Sequence, residues 1–195
     1  MRKAEICRKT NETHIVLSID LDGQGNGDIQ SGVGFLDHML ELFARHSGID
    51  LTLTCTGDTR VDDHHSVEDI GIALGEAVRK ALGEKKGIQR YSSLVLPMDE
   101  SLILCALDIS GRGGFYPELS FPSQKIGSFD TELIEEFMTA FAVHSGVTLH
   151  MRQMAGRNSH HIAEGCFKAL ARGLRESIKL DERFRDRIPS TKGVL

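Results

Sequence analysis

The sequence predicts an α+β fold made of internally duplicated half-domains, with two sheets enclosing a layer of amphipathic helices. Three observations carry that expectation. The chain repeats itself: "HSGIDLTLTCTGDTRVDDHH" (46–65) is echoed by "HSGVTLHMRQMAGRNSHH" (144–161), and "ETHIVLSIDLDGQG" (12–25) by "ESLILCALDISGRG" (100–113). Each half opens with alternating runs rich in β-branched residues, the period-2 pattern of half-buried strands. Each half also holds two segments whose apolar residues recur at three- and four-residue spacing and so share one helix face. Strands with one apolar face and helices with one apolar stripe bury each other when sheets cover the helices.

In the first half, residues 2–10 and 12–21 read as hairpin strands joined by a polar turn. Phe35, Leu36, Met39, Leu40 and Phe43 then mark a helix, and "IDLTLTC" is a strand. A second helix begins near His64 and His65, with Val67, Ile70, Leu74, Ala77, Val78, Ala81 and Leu82 on one face. The second half follows the same plan, with strands at 90–96 and 101–109. Leu133, Ile134, Phe137, Met138 and Phe141 mark its first helix, "VTLHMRQM" a strand, and Ala163, Cys166, Phe167, Leu170, Leu174 and Ile178 its second helix. The stretch "LDGQGNGD" reads as a turn, and 113–130 as a longer loop. The expected organisation is one domain over 1–195, with repeats at about 1–89 and 90–180 and a tail at 181–195.

Composition narrows the function. With 195 residues, 40% apolar and 26% charged, the chain has the profile of a soluble globular protein with an ordinary core. A net charge of −5, with Lys and Arg scattered, supplies no field for nucleic acid. Cys7, Cys55, Cys105 and Cys166 form no C-x-x-C and read as small buried residues of a reduced protein. The opening residues lack a signal-peptide apolar core and no apolar run approaches a membrane span, so a cytoplasmic protein is expected.

The figure His-His-x-x-Glu occurs twice, in "VDDHHSVEDIG" and "RNSHHIAEGCF". Neighbours on a helix point about 100° apart, so adjacent histidines cannot serve one ion with equal geometry. Each histidine is therefore expected to have its own metal ion, with the glutamate joining one of them. A lone pair would more simply be solvated, but the duplication favours metal. The repeat extends the set: His38 lies eight residues before His46, and Glu136 eight before His144. The candidates are His38, His64, His65, Glu68, Glu136, His160, His161 and Glu164, enough for two four-ligand sites with open positions. Imidazole and carboxylate favour Mn, Fe, Zn, Co or Ni over Ca or Mg.

These residues resemble a known family, the imidazoleglycerol-phosphate dehydratases of histidine biosynthesis. The resemblance covers essentially the whole chain and rests on "RKTNET", "SGVGFLDHML", "DDHHSVEDIGIALG", "DISGRGGF", "TLHMRQMAGRNSHHIAEGCFKALARGLR" and "IPSTKGVL". It implies two four-stranded sheets around four helices, trimers building a 24-subunit particle, and two Mn²⁺ per active site at subunit contacts. The ligands carry over to the eight candidates, although many members have histidine where this chain has Glu136.

The reaction implied removes water from D-erythro-imidazole glycerol 3-phosphate to give imidazole acetol phosphate. Its difficulty is a carbon-bound proton with no carbonyl beside it. Metal on both ring nitrogens would stabilise an imidazolate, whose electrons expel hydroxide and leave a diazafulvene with a more acidic proton. Glu12, repeated as Glu100, matches a family substrate-contact position and is a candidate acid–base. Glu68 and Glu164 could double as ligand and base, and Lys168 matches a family lysine. Arg90 and Arg112 lie at corresponding strand ends and offer phosphate a bidentate fork; Ser190, Thr191 and Lys192 in the tail could close over it. Three rivals stand beside this reading. A metal-storage module gives no reason for the Arg and Lys set, a dinuclear hydrolase would release phosphate, and an RNA-binding module lacks charge and stacking aromatics.

Overall fold

We analysed a computed structural model, which describes residues 2–195. The first half contains β1 (Lys3–Lys9), β2 (Thr13–Asp20), β3 (Gly27–Gln30), α1 (Gly34–Ser47), β4 (Asp50–Gly57) and α2 (His64–Leu82). The second contains β5 (Tyr91–Met98), β6 (Ser101–Asp108), β7 (Gly114–Glu118), a short hairpin of β8 (Lys125–Ile126) and β9 (Phe129–Asp130), α3 (Glu132–Ser145), β10 (Thr148–Ala155) and α4 (Ser159–Ser177).

Alternation sets the sheet faces. Along β2 and β6, every second residue is buried and its neighbours face outward. The sheets have the orders β1-β2-β4-β3 and β5-β6-β10-β7. In each, three strands pair antiparallel and the fourth, β3 or β7, lies parallel on the edge. The helices lie between the sheets. α2 covers the first sheet and packs on α3, while α4 covers the second and packs on α1. Phe43, Phe137, Phe141 and Phe167 are fully buried in this layer.

Close helix approach depends on glycine at α2–α3. A Cβ on Gly71 would stand 2.8 Å from the Phe137 carbonyl oxygen, and one on Gly75 2.7 Å from that of Phe141. No larger residue fits without separating the helices.

Two expectations are corrected. Residue patterns placed three strands in each half and left β3 inside or beside a turn and β7 inside a loop. Both are short parallel edge strands with little buried surface, "GDIQ" and "GFYPE", so they carry almost no alternation. Pro117 is tolerated in β7 because one side of an edge strand needs no donor. The cysteines are not uniformly buried: Cys105 and Cys166 are, but Cys7 is exposed on edge strand β1, its Sγ 3.8 Å from His14 Nε2. Among the described residues no helix is long and apolar enough to cross a membrane.

Candidate metal centre

Both histidine pairs sit at helix starts, where side-chain oxygens accept from their backbone N–H groups. Asn158 caps α4 by accepting from the backbone N–H groups of His160 and His161. At α2, the Asp62 carboxylate accepts from the His64 N–H at 2.9 Å. The helix then splays each pair. The ring centroids are 6.2 Å apart and the planes cross at 84° for His64–His65 and 83° for His160–His161.

One histidine of each pair turns along its own helix to the glutamate four residues on. His160 Nε2 is 3.3 Å from Glu164 Oε2, and His64 Nε2 is 3.9 Å from Glu68 Oε2. The other turns to a carboxylate outside the helix. His161 Nδ1 lies 2.7 Å from Glu100 Oε2, and His65 Nδ1 lies 3.1 Å from Asp58 Oδ1. These bonds raise the pKa of both imidazoles and hold the Glu100 carboxyl down to about 2. They also fix the ring orientation and leave Nε2 as the free ligand atom, the job of an outer-shell carboxylate at a metal site.

The packing of α1 on α4 adds a third group. His38, His160 and Glu164 bring one ligand atom each to within 4.8 Å of one another. Phe35 stands edge-on to the His160 ring, centroids 5.3 Å apart, and limits its rotation. Glu164 is only 7% exposed, and its burial alone would push its pKa up. The Lys168 ammonium, 2.5 Å from Glu164 Oε1, together with His160 and His38, outweighs that and keeps the carboxyl below its usual value. Lys168 is itself mostly covered, unlike an ordinary solvated helix lysine.

The remaining candidates are distributed. Among the described residues, Glu136 on α3 does not join His64 and Glu68 in a comparable cluster. Glu12 lies in the β1–β2 turn with Oε1 3.7 Å from His65 Nε2. Asp58, the orienting partner of His65, was missed by sequence reasoning. Its counterpart in the second half is Gly156, so the repeat gave no signal for it.

A basic cavity of about 560 Å³ lies at the other end of the helices, lined by Arg90, Arg112, Ser190, Thr191, Lys192 and Lys85, among others, and by none of the eight ligand candidates. Arg90 is largely committed: Nε and Nη2 donate to Asp108 at 2.8 and 3.3 Å, and Nη1 to the Pro189 carbonyl at 2.7 Å. Arg112 makes one long bond, to the Ser110 carbonyl at 3.4 Å, and keeps more of its fork available. The structure thus brings the phosphate candidates together but separates them, within one chain, from the metal cluster.

Comparison with known proteins gives one answer. Residues 31–174 match the family model of imidazoleglycerol-phosphate dehydratase. Proteins of that name from Cereibacter sphaeroides and Desulforamulus reducens are 60% and 56% identical, over 100% of this chain and 100% and 98% of theirs. The crystal structure of the dehydratase from Staphylococcus aureus superposes with TM-score 0.84 at 38% identity, covering 92% of this chain and 99% of that one. That from Pyrococcus furiosus superposes with TM-score 0.83 at 37% identity, covering 97% and 100%.

Proposed function

The chain belongs to the imidazoleglycerol-phosphate dehydratase family, a hydro-lyase of histidine biosynthesis, and from that premise we propose how its residues divide the work. The substrate is D-erythro-imidazole glycerol 3-phosphate and the product imidazole acetol phosphate. The observation that carries the proposal is the His38, His160 and Glu164 cluster on facing helices.

Two imidazoles and a carboxylate within 4.8 Å fit one divalent ion at ordinary bond lengths. The donor set, without thiolate, admits Mn, Fe, Zn, Co or Ni, and the family resemblance selects Mn²⁺ among them. His64, Glu68 and Glu136 are the repeat-related set for a second ion. His65 and His161 turn through Nδ1 to carboxylates outside their helices and keep Nε2 as a ligand atom, so each is suited to complete a site held by another copy of the chain. The separation of the basic cavity from the cluster supports active sites completed at subunit contacts; the homo-oligomer of 24 subunits built from trimers, with two Mn²⁺ per site, is what the family resemblance implies. When bound, the ions supply Lewis acidity at the substrate's ring nitrogens and fix the ring.

The chain's own groups then do the rest. Glu12, exposed at its turn, moves the carbon-bound proton. Lys168 keeps Glu164 ionised, and so keeps a ligand oxygen available beside it; Glu68 plays the matching part on α2. Arg112, with Lys192, Ser190 and Thr191, binds the phosphate, and Arg90 adds the donors it has left. We place the enzyme in the cytoplasm, acting on a small phosphorylated molecule without nucleic-acid or membrane partners.

Titrating metal-stripped protein with Mn²⁺ tests the ligand assignment. Eight ligands per chain predict two equivalents per chain, and fewer than two would contradict it.

A further inference from the structure

The turn between α2 and β5 is where the C-terminal segment docks. The Gly87 N–H donates to the Arg187 carbonyl at 2.9 Å and the Gly87 carbonyl accepts from Asp181 N–H at 2.8 Å. Gln89 N–H donates to Lys179 and Arg90 N–H to Ser177, at 3.0 and 2.9 Å, and the Arg90 side chain holds Pro189. The turn is also strained. Lys85 and Arg90 have φ of 57° and 72°, two of three non-glycine residues in the left-handed region among those described. Glycine or asparagine suits such a position better than lysine.

Lys85 is unusual in a second way. The residue is only 9% exposed, and burial lowers its pKa, with Arg79 adding to the effect. Among the described residues its Nζ makes one hydrogen bond, donating to the Leu195 carbonyl oxygen at 3.1 Å. A covered ammonium in a strained backbone persists where the surrounding structure requires it. Here the requirement is visible: residues 190–195 form one wall of the basic cavity, and Lys85 ties the far end of that wall to the opposite side.

We propose that Lys85 is a positioning residue for phosphate binding, which holds residues 190–195 against the cavity and so presents Ser190, Thr191 and Lys192 to the substrate's phosphate. The proposal rests on the reading of this cavity as the phosphate site.

The test uses full-length, Mn²⁺-loaded enzyme. Lys85→Met should raise KM for imidazole glycerol phosphate by about tenfold, the size of one lost hydrogen bond from a charged donor, with kcat within about twofold. Tryptic cleavage after Arg187 and Lys192 should accelerate by a similar factor, and Lys85→Arg should restore both. Lys85→Gly relieves the left-handed strain, so it should keep Tm at or above that of the parent while still raising KM. A raised KM with unchanged tail cleavage would mean that Lys85 meets the phosphate directly, which overturns the proposal. So would no change in either. Arg112→Gln, measured in parallel, separates the two readings: an unchanged KM there removes the phosphate cavity itself, whereas a raised KM with a silent Lys85→Met removes only the role of Lys85.

Discussion

Lys168 Nζ lies 2.5 Å from Glu164 Oε1, one turn along α4, while the repeat places Ile72 at the corresponding position of α2. The two candidate half-sites therefore differ by a positive charge beside the glutamate. Lys168→Met should retain two Mn²⁺ per chain and lower kcat by about 100-fold, the range of a lost acid–base or charge-holding group. Full activity in a metal-loaded Lys168→Met enzyme would remove Lys168 from the mechanism.

Removing one histidine from either helix start tests whether both copies of the motif work. His64→Ala and His160→Ala should each cost more than about 100-fold in kcat/KM, beyond the usual effect of an outer-shell residue, with far-ultraviolet circular dichroism unchanged. Near-normal turnover in either variant would contradict the use of two ions.

Glu100 orients His161 from outside the helix, so Glu100→Gln should weaken Mn²⁺ binding by about 10- to 100-fold. The same bond gives a stability signature in metal-free protein. Glu100 is held at about 2, so its share is present above its ordinary 4.5 and lost as pH falls toward 2. His161 is raised, so its share is full below its ordinary 6.5 and lost as pH rises through the folded value. The Tm difference between parent and Glu100→Gln should therefore be largest between pH 4.5 and 6.5 and shrink on both sides. A difference independent of pH would mean the bond is not formed in solution.

The α2–α3 contact gives a prediction without chemistry in it. Gly71→Ala or Gly75→Ala improves helix propensity by about 1 kcal/mol, yet forces a methyl into backbone atoms nearer than 3 Å. Overpacking should win, with a net loss of about 1–3 kcal/mol in denaturant unfolding. A stabilised Gly75→Ala would show that the helices can separate freely.

The fold was legible where burial imposes a period. The stripe Val67 to Leu82 is buried along α2 and the stripe Ala163 to Leu174 along α4, with Ile178 buried just past its end, and their period alone located both helices. Edge strands β3 and β7 were not legible from pattern, because mostly exposed residues leave no alternation to read. At the site, the repeat drew attention to His38, His160 and Glu164, whose ligand atoms the structure brings to within 4.8 Å of one another. His38 needed the packing of α1 on α4 to meet His160, and Asp58 needed the end of β4 to come beside α2; such contacts leave no trace in local sequence. Arg90 read as a phosphate donor, but its fork is spent mainly on Asp108 and the tail, a tertiary demand that spacing does not reveal.

The measurement that bears most directly on the account is turnover of imidazole glycerol phosphate by metal-stripped protein, with and without Mn²⁺, following ketone and inorganic phosphate together. The account predicts ketone formation that depends on Mn²⁺, with no phosphate released. Phosphate release, or ketone formation at full rate without metal, would contradict it.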